Sequence, residues 1–329
     1  MTSLISVTFE QQELPFAGEF RIARGAKTSA KVIVVTLNDG KYKGVAESVP
    51  YGRYNESLES VGKQISMLGD AFSDSQSLKQ SIDSLPAGSA RNALDCAWYD
   101  YIAKKSGVSV QSQLELPQNQ QVICAQTLSL DTAENMAKAV ADLGQPPLIK
   151  VKLDNQDIQA KMQAISAAAP NSRFIVDANE GWSIEDLKTN AEMLAKLNVV
   201  LIEQPLPADK DDDLIGYDCP ITLCADESCH TSDKLFLLKE KYQAINIKLD
   251  KTGGLTEALN LAKNAKAQGF EIMIGCMVGS SLAMAPAYLL HPFAGYIDLD
   301  GPIFLKEDRA YGFTFNNGEM SVLDTNLWG

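Results

Sequence analysis

Short apolar runs rich in β-branched residues recur through the second two thirds of the chain, at intervals of about 25 residues. They begin near Val122, Leu148, Phe174, Val199, Ile221, Ala244, Glu271 and Tyr296. Between them apolar residues return at helical spacing, as Met136, Val140 and Leu143 do, and Asp131 and Ser183 stand where helix N-caps are expected. Eight strands that alternate with helices predict a parallel (β/α) barrel, whose chemistry lies at the carboxyl ends of its strands.

The pattern differs over about the first 115 residues, where apolar and polar positions alternate with a period of two. This alternation surrounds the turn Asn38-Asp39-Gly40, and helical stretches follow at roughly Ser57–Ala71 and Ser89–Lys105. After Gly301 the segment AYGFTFN regains strand character. We therefore expect an α+β capping domain over residues 1–115, a barrel over 116–301, and a C-terminal segment, 302–329, that returns to the capping domain.

One uncharged stretch, residues 272–297, is long enough to span a membrane. Gly275, Gly279, Pro286, Pro292 and Gly295 interrupt it, so we interpret it as a buried strand, a loop, a helix and the next strand. The composition agrees with this interpretation, because 45% hydrophobic and 22% charged residues are typical of soluble globular proteins.

The excess of acidic residues argues against polyanionic binding partners. Asp and Glu number 42 against 29 Lys and Arg, and the net charge of -13 disfavours binding to nucleic acid or to an anionic membrane. Six cysteines are too few for a disulfide scaffold, and the N-terminus shows no basic region before an apolar core. We therefore expect a cytoplasmic protein with a small-molecule ligand, and a homo-oligomer remains open.

Three carboxylates follow three successive strands: Asp177 in FIVDAN, Glu203 in VLIEQP and Asp226 in TLCADES. Each of them alone is also typical of a turn at a strand end. Together they would converge on one mouth of a barrel, where like charges need a cation. An all-oxygen set of ligands favours Mg²⁺, one ion per subunit.

Lysines occupy two other strand ends. Lys150 and Lys152 are two residues apart in the second strand and therefore lie on one face of it, although a pair of surface lysines is an open alternative. Lys248 ends the sixth strand, which is opposite the second in an eight-stranded barrel. Lys152 and Lys248 would then face each other across the metal, as a two-base proton transfer at one carbon requires.

The eighth strand ends in Asp298-Leu299-Asp300, and a period of two directs both carboxylates to the same side. Such a pair suits a substrate ammonium group, and a salt-bridged pair at the rim is an equally open interpretation. The segment Lys251-Thr252-Gly253-Gly254 superficially resembles a phosphate-binding loop, but the full pattern is absent.

The motifs KVKLD, VDANEGW, IEQPLP, CADES, NIKLDKTGG, GCM and DLDGP together resemble the enolase superfamily, in its muconate-lactonizing subgroup. The chain is most similar to the bacterial dipeptide epimerases that act on L-Ala-D/L-Glu, and FRIARG, PYGRY and ARNALDCAWYD extend the similarity into the capping domain. The resemblance implies a (β/α)7β modified TIM barrel with an N-terminal α+β capping domain that the C-terminal tail completes.

The resemblance also implies roles for individual residues. The metal ligands would be Asp177, Glu203 and Asp226. Lys152 would take the proton from the D-Glu side of the α-carbon and Lys248 from the L-Glu side.

The implied substrate contacts surround this centre. Lys150 would contact the substrate carboxylate, the pair Asp298 and Asp300 the dipeptide ammonium group, and Arg24 the distal carboxylate of Glu. Further contacts would come from Thr127 and from the backbone at Cys276 and Val278. The chain departs from its relatives at Gly279-Ser280-Ser281, where larger or acidic residues are common, so the second side chain of the substrate is less well defined than the reaction.

Together with these residues, the resemblance implies an Mg²⁺-dependent isomerase that epimerises the C-terminal residue of a dipeptide through an enolate. The expected conversion is of L-Ala-D-Glu to L-Ala-L-Glu, in the recycling of murein peptides from the cell wall. The same barrel could instead perform the chemistry of an o-succinylbenzoate synthase or a muconate cycloisomerase, whose substrates have no ammonium group. A metal-dependent binding protein without catalytic activity is the third alternative, against which the pair of opposed lysines argues.

Overall fold

The computed structural model describes residues 4–329, and its first part is an antiparallel sheet covered by helices. Its strands are β1 (Ile5–Ile22), β2 (Gly25–Asn38), β3 (Lys43–Ser48) and β4 (Ala71–Phe72), and its helices are α1 (Leu58–Leu68), α2 (Ser75–Asp83), α3 (Ser89–Ser106) and α4 (Val110–Gln113). Within the described residues the strand order is β3-β2-β1-β4. The predicted α1 and α3 are confirmed to within a few residues, whereas α2 was missed because only Leu78 and Ile82 give it an apolar face.

The hairpin of β1 and β2 is unusually long and carries a residue of the site at its tip. The strands pair from Ser6–Asn38 to Ile22–Gly25, with an irregularity between Pro15 and Phe20. Ala23 and Arg24 form the turn. Because Arg24 contacts Asn179 and Glu180 of the barrel, the hairpin places its tip over the barrel mouth.

A parallel sheet of eight strands forms the barrel. The strands are β6 (Gln126–Leu128), β7 (Leu148–Lys152), β8 (Arg173–Asp177), β9 (Val199–Glu203), β10 (Thr222–Ala225), β11 (Ala244–Ile247), β12 (Glu271–Gly275) and β13 (Tyr296–Asp298). They follow one another in sequence order, and the amide of Ala125 donates to the carbonyl of Ile297 at 2.7 Å, which joins the first strand to the last. The predicted TIM-type barrel is therefore confirmed.

The first predicted barrel strand was placed too early in the sequence. Val122 and Ile123 form a separate strand, β5, which pairs with the C-terminal tail, and β6 begins only at Gln126. The amide of Cys124 donates to the carbonyl of Gly318 at 2.8 Å, so this part of the chain completes its hydrogen bonding outside the barrel. The apolar run beginning at Val122 is thus shared between two sheets.

The helices outside the barrel are uneven in length. They are α5 (Ala133–Asp142), α6 (Ile158–Ala168), α7 (Ile184–Lys196), α8 (Leu249–Thr252), α9 (Leu255–Ala267) and α10 (Ser281–Tyr288). The connections after β9 and β10 contain only 3₁₀ helices, Asp211–Leu214 and Ser232–Leu238, and the sequence intervals there are the shortest of the series. Ser183 is confirmed as an N-cap, but α5 is capped by the hydroxyl of Thr132 rather than by Asp131.

The C-terminal segment contacts two parts of the molecule. Strands β14 (Phe315–Asn316) and β15 (Glu319–Met320) form a small sheet with β5. Further on, the indole of Trp328 donates to the carbonyl of Cys96 at 3.1 Å, within α3 of the capping domain. We keep the limits 1–115, 116–301 and 302–329 as a proposal. Among residues 4–329, no helix combines the length and the apolar character needed to cross a membrane.

Candidate active site

The three predicted carboxylates lie at the carboxyl ends of three adjacent strands. Asp177 and Glu203 are the last residues of β8 and β9 and are paired in register, and Asp226 directly follows β10. Each is at most 1% exposed. Parallel strands bring their ends to one edge, so apolar runs that each end in an acidic residue produce a buried acidic cluster at the barrel mouth.

Lysine ammonium groups lie between these carboxylates. Lys150 Nζ is 2.6 Å from Glu203 Oε2, 2.7 Å from Asp298 Oδ2 and 3.1 Å from Asp177 Oδ2. Lys152 Nζ is 2.6 Å from Asp177 Oδ2. Both lysines are buried, as their common strand face requires, and the alternative of a surface pair is excluded.

Lys248 occupies the opposite side of the mouth. Its Nζ lies 2.6 Å from Asp226 Oδ2 and is 3.9 Å from Glu203 Oε1. Three strands, β8 to β10, separate β7 from β11 on one side of the barrel, and β12, β13 and β6 separate them on the other. Lys152 and Lys248 therefore approach the mouth from opposite sides.

These ion pairs determine the protonation of the cluster. Burial alone would lower the pKa of Lys248, but Asp226 and Glu203 outweigh it and hold that pKa well above its usual value. Burial would raise the pKa of Asp226, and Lys248 and Lys251 outweigh it, so that pKa lies well below normal. Glu203 is different, because burial and the charge of Asp177 raise its pKa to about 7.

The chemistry of this cluster suits a divalent cation. Three buried carboxylates supply oxygen ligands only, and burial together with the charge of Asp177 raises the pKa of Glu203 in spite of the neighbouring lysines. Within residues 4–329, Glu203 Oε2 contacts the Lys150 ammonium group and is offered no further hydrogen bond. Across residues 4–329, no three His, Cys, Asp or Glu side chains are spaced to hold one ion as they stand. A cation bound to all three carboxylates would thus replace ammonium contacts.

Asp298 and Asp300 share one side of the mouth, as the strand period requires. The hydroxyl of Thr127 lies 3.4 Å from Asp298 Oδ1 and 3.2 Å from Asp300 Oδ1, and the amide of Thr127 donates to Asp300 Oδ2 at 2.6 Å. Asp298 is also bound by Lys150, whereas no ion pair within the described chain includes Asp300. Burial and the charge of Asp298 raise the pKa of Asp300 to about 7.

A cavity of about 630 Å³ opens above the cluster, between the barrel and the capping domain. Six of the predicted site residues line it: Arg24, Lys152, Asp226, Lys248, Cys276 and Val278. The other six are not part of its lining: Thr127, Lys150, Asp177, Glu203, Asp298 and Asp300. The two lysines predicted to act as bases thus both face the cavity.

Arg24 reaches the cavity from the hairpin tip, where it contacts carboxylates of the barrel. Its guanidinium lies 2.8 Å from Glu227 Oε1 and 3.1 Å from Glu180 Oε2, and it donates to the hydroxyl of Tyr51 at 3.3 Å. Burial, followed by the charge of Asp226, raises the pKa of Glu227 to about 6. The guanidinium is therefore already engaged by carboxylates at the edge of the cavity.

Family comparisons match both parts of the chain. Residues 4–114 match the mandelate racemase/muconate lactonizing enzyme N-terminal domain, and residues 131–325 match the enolase C-terminal domain-like family. The chain belongs to the mandelate racemase/muconate lactonizing enzyme family of the enolase superfamily. The resemblance inferred from the sequence motifs is confirmed.

Two relatives within the enolase superfamily are similar over nearly their whole length. An N-acetyl-D-glutamate racemase from a Pseudoalteromonas species is 55% identical over 300 residues, which cover 91% of this chain and 95% of the relative. The L-Ala-D/L-Glu epimerase of Escherichia coli K12 is 44% identical over 314 residues, which cover 95% of this chain and 98% of the relative. The two relatives differ in the group named on the glutamate nitrogen.

A solved structure of the superfamily has the same architecture. It is an enolase family member from Agrobacterium tumefaciens with homology to dipeptide epimerases, bound to sodium and L-Ala-L-Glu. It is 41% identical to this chain, superimposes with a TM-score of 0.93, and the match covers 99% of this chain and 100% of that one. The likeness includes the capping domain as well as the barrel.

Two residues that contact the carboxylate cluster were missed by the sequence analysis. Lys251 is fully buried, and its Nζ lies 2.6 Å from Asp226 Oδ1 and 2.9 Å from the carbonyl of Asn246. The amide side chain of Asn246 donates to Glu203 Oε1 at 2.7 Å. Each of them fixes one oxygen of a carboxylate in the cluster. The alternation in AINIKLDK could have indicated Asn246, but Lys251 lies beyond the strand, where no period applies.

Proposed function

We propose that this enzyme is an isomerase that inverts the α-carbon of a glutamate residue whose nitrogen is acylated, with L-Ala-D/L-Glu as its substrate. One observation carries the proposal: Lys152 and Lys248 face one cavity from opposite sides of the barrel, each next to a carboxylate of the same cluster. Two amines on opposite sides of one carbon can remove a proton from one face and return a proton to the other.

The proton transfer needs one lysine as a base and the other as an acid. Lys152 would act on the D-Glu configuration and Lys248 on the L-Glu configuration. When the reaction starts from L-Ala-D-Glu, Lys152 would therefore be the base and Lys248 the proton donor. In the reverse direction the two roles exchange.

Asp177, Glu203 and Asp226 would hold a single Mg²⁺ ion. The ion would supply positive charge for the substrate α-carboxylate and so make the α-proton more acidic. Lys150 would hold the same substrate carboxylate. Asn246 and Lys251 would keep one oxygen each of Glu203 and Asp226 directed away from the cavity.

The ends of the substrate would be bound by different parts of the mouth. The distal carboxylate of Glu would bind Arg24 in exchange for its present contacts with Glu227 and Glu180. The dipeptide ammonium group would bind Asp298 and Asp300. Thr127 and the backbone at Cys276 and Val278 would complete the contacts.

A second candidate substrate is N-acetylglutamate. The 55% identity to an N-acetyl-D-glutamate racemase favours it. The contact of Asp298 with Lys150 also favours it, because within the described chain only Asp300 of the pair then lacks an ammonium partner. An acetyl group needs no counter-ion, whereas the raised pKa of Asp300 marks a place where a positive charge would be stabilised. The raised pKa of Asp300 therefore favours the dipeptide as the substrate.

We also propose that the enzyme acts in the cytoplasm on dipeptides released from murein. The similarity to the L-Ala-D/L-Glu epimerase supports this, and all six cysteines are free, as suits a reducing compartment.

The experiment is proton exchange in D₂O. The purified enzyme with Mg²⁺ is incubated separately with L-Ala-D-Glu, L-Ala-L-Glu and both enantiomers of N-acetylglutamate. Mass spectrometry measures α-deuteration, and chiral chromatography measures inversion. We expect inversion with deuterium uptake, and a higher kcat/KM for the dipeptides. Faster turnover of N-acetylglutamate would select the second candidate, and the absence of α-deuterium in every substrate would contradict the proposed reaction.

A further inference from the structure

A buried carboxylate of the capping domain contacts the loop that follows β12. Glu47, in β3, is 1% exposed, and its Oε1 accepts from the amide of Ser280 at 2.7 Å. Its Oε2 accepts from the hydroxyl of the same serine at 2.5 Å. Ser280 is the N-cap of α10, so one capping-domain side chain binds both donors of the residue at which this loop ends.

A third segment of the chain completes the network. Arg309, in the C-terminal segment, places Nη2 at 2.7 Å from Glu47 Oε2, and its Nε donates to the hydroxyl of Ser280 at 3.1 Å. The same Nη2 donates to Gln12 in β1 at 2.7 Å. Glu47 therefore links the long hairpin, the barrel loop and the tail through charge-assisted hydrogen bonds.

The backbone at Gly279 packs closely against Glu47. A Cβ on Gly279 would lie 3.0 Å from Glu47 Oε1 and 3.1 Å from a methyl carbon of Val49. The three residues before Gly279 line the cavity, as does Val49: Cys276, Met277 and Val278. The carboxylate thus fills the space where a larger residue at position 279 would lie. It packs on the side of the loop that faces away from the cavity.

The position of this wall indicates which part of a substrate it would meet. Gly275, the last residue of β12, is paired in register with Asp298 of β13. The loop after β12 is therefore adjacent to Asp298 and Asp300, at the side proposed for the group on the glutamate nitrogen. Arg24, proposed for the distal carboxylate, reaches the cavity from the hairpin tip instead.

We propose that Glu47 is a positioning residue that sets the specificity for the acyl group on the substrate nitrogen, by holding the loop Cys276–Ser280 against the cavity. The inference rests on the proposed function for the identity of the substrate. It concerns a residue of the capping domain that does not line the cavity and that reaches it through the loop ending at Ser280.

The molecule offers a matched control. Asp95, in α3 of the capping domain, accepts from the amide of Thr256 at 2.9 Å and from its hydroxyl at 2.7 Å, and Lys79 lies 3.1 Å away. Thr256 is in the first turn of α9 in the barrel. As with Glu47, a capping-domain carboxylate binds both donors of a barrel residue at the start of a helix, but Thr256 and its neighbours in the chain do not line the cavity. Replacing Asp95 therefore removes an equivalent contact between the capping domain and the barrel without changing the loop at residues 276–280.

The test combines two readouts on Glu47→Ala, Glu47→Gln and Asp95→Asn. The first is amide hydrogen exchange of residues 276–281. The second is KM and kcat for D-glutamate carrying glycyl, L-alanyl, L-valyl and acetyl groups. We expect Glu47→Ala to accelerate exchange in the loop and to raise KM for the preferred substrate on the order of 10-fold, with kcat nearly unchanged. The preference among the acyl groups should flatten. Glu47→Gln should give smaller changes, and Asp95→Asn should leave loop exchange and preference as in the wild type.

Unchanged loop exchange in both Glu47 variants would overturn the proposal whatever the substrate is. Faster exchange with an unaltered preference, or equal effects of Asp95→Asn, would also overturn it. A wild-type enzyme that turns over none of the four substrates would contradict the proposed function instead, and the exchange data would then still decide whether Glu47 holds the loop.

Discussion

The two sides of the barrel mouth differ in how their buried carboxylates are compensated. On the side of β8 to β10, Asp177, Glu203 and Asp226 each have a lysine Nζ at 2.6 Å. On the side of β13, Asp298 shares Lys150 with that cluster, and Asp300 is bound only by the amide and hydroxyl of Thr127 within the described chain. The first side has charges suited to moving a proton, and the second has negative charge left for a ligand.

This difference assigns the reaction and the choice of substrate to different sides of the barrel mouth. Relatives at 55% and 44% identity are named for different groups on the glutamate nitrogen, yet both names describe inversion of a glutamate carbon. We infer that in this chain the lysine-compensated side performs the inversion and the Asp298–Asp300 side contributes to the choice between such substrates. The predictions below test each side in turn.

The largest effect should come from removing the metal, which the compensated side requires. Exhaustive treatment with a chelator should lower turnover of L-Ala-D-Glu to the detection limit, at least ~100-fold, because the substrate carboxylate loses its counter-charge. Adding Mg²⁺ should restore the rate. Full activity in the chelated enzyme, with metal content checked by mass spectrometry, would contradict the assignment of Asp177, Glu203 and Asp226.

Replacing either lysine of the cavity should be nearly as severe. Lys152→Arg and Lys248→Arg keep the positive charge beside Asp177 and Asp226, but a guanidinium cannot act as a base near neutral pH. Net epimerisation should fall about 10²–10⁴-fold, the range for general acid–base catalysis. Lys161→Arg is the control, because Lys161 is also buried and paired with a carboxylate, Asp154, but lies outside the cavity. Comparable losses in the control would show a general effect of the larger side chain.

The uncompensated side should affect one substrate more than another. Asp298→Asn should lower kcat/KM for L-Ala-D-Glu by a factor that corresponds to a loss of transition-state stabilisation on the order of 2–5 kcal/mol, the range for truncating one partner of a buried charge pair. N-acetyl-D-Glu has no ammonium group and should lose much less. If both substrates lose the same amount, Asp298 acts through its contact with Lys150 rather than on the ammonium group.

The smallest effect should be on stability, in the absence of ligands. The pKa of Asp300 is raised from 3.8 to about 7, so the folded state binds its proton more tightly than the unfolded state does. Its contribution to the free energy of unfolding is therefore retained below about pH 4 and lost as the pH rises through 7. Asp300→Asn removes this dependence and should stabilise the protein at pH 8 by roughly 1–4 kcal/mol more than at pH 4, measured by urea unfolding. Equal effects at both pH values would show that Asp300 has no raised pKa.

The sequence predicts the centre of the site better than its edges, and the reason is geometric. Asp177, Glu203, Lys152 and Lys248 lie in or directly after regular strands, where the period of two fixes the side of each residue. The contact of Lys150 with Asp298 joins residues that are 148 positions apart in the chain and has no local signal. The division of the first apolar run between two sheets also has no local signal. It depends on pairing with the C-terminal tail, more than 190 residues away.

The contacts of the capping domain with the barrel also cannot be predicted from the spacing of residues in the sequence. The sequence analysis placed Arg24 on a substrate carboxylate through a family resemblance, but its ion pair with Glu227 links residues that are far apart in the chain. Glu47 gave no signal at all, because a single glutamate in an alternating strand is typical of a solvent-facing position. Only the packing of three segments around Ser280 explains its burial.

The most direct test of the account is the exchange that each lysine supports alone. Lys152→Ala and Lys248→Ala are incubated with Mg²⁺ in D₂O, with L-Ala-D-Glu and L-Ala-L-Glu separately, and α-deuterium and configuration are measured. If the two amines serve opposite faces, Lys248→Ala should place deuterium only into L-Ala-D-Glu and Lys152→Ala only into L-Ala-L-Glu, with no inversion by either. Inversion by a single variant at near the wild-type rate, or loss of exchange with both substrates in both variants, would contradict two opposed bases.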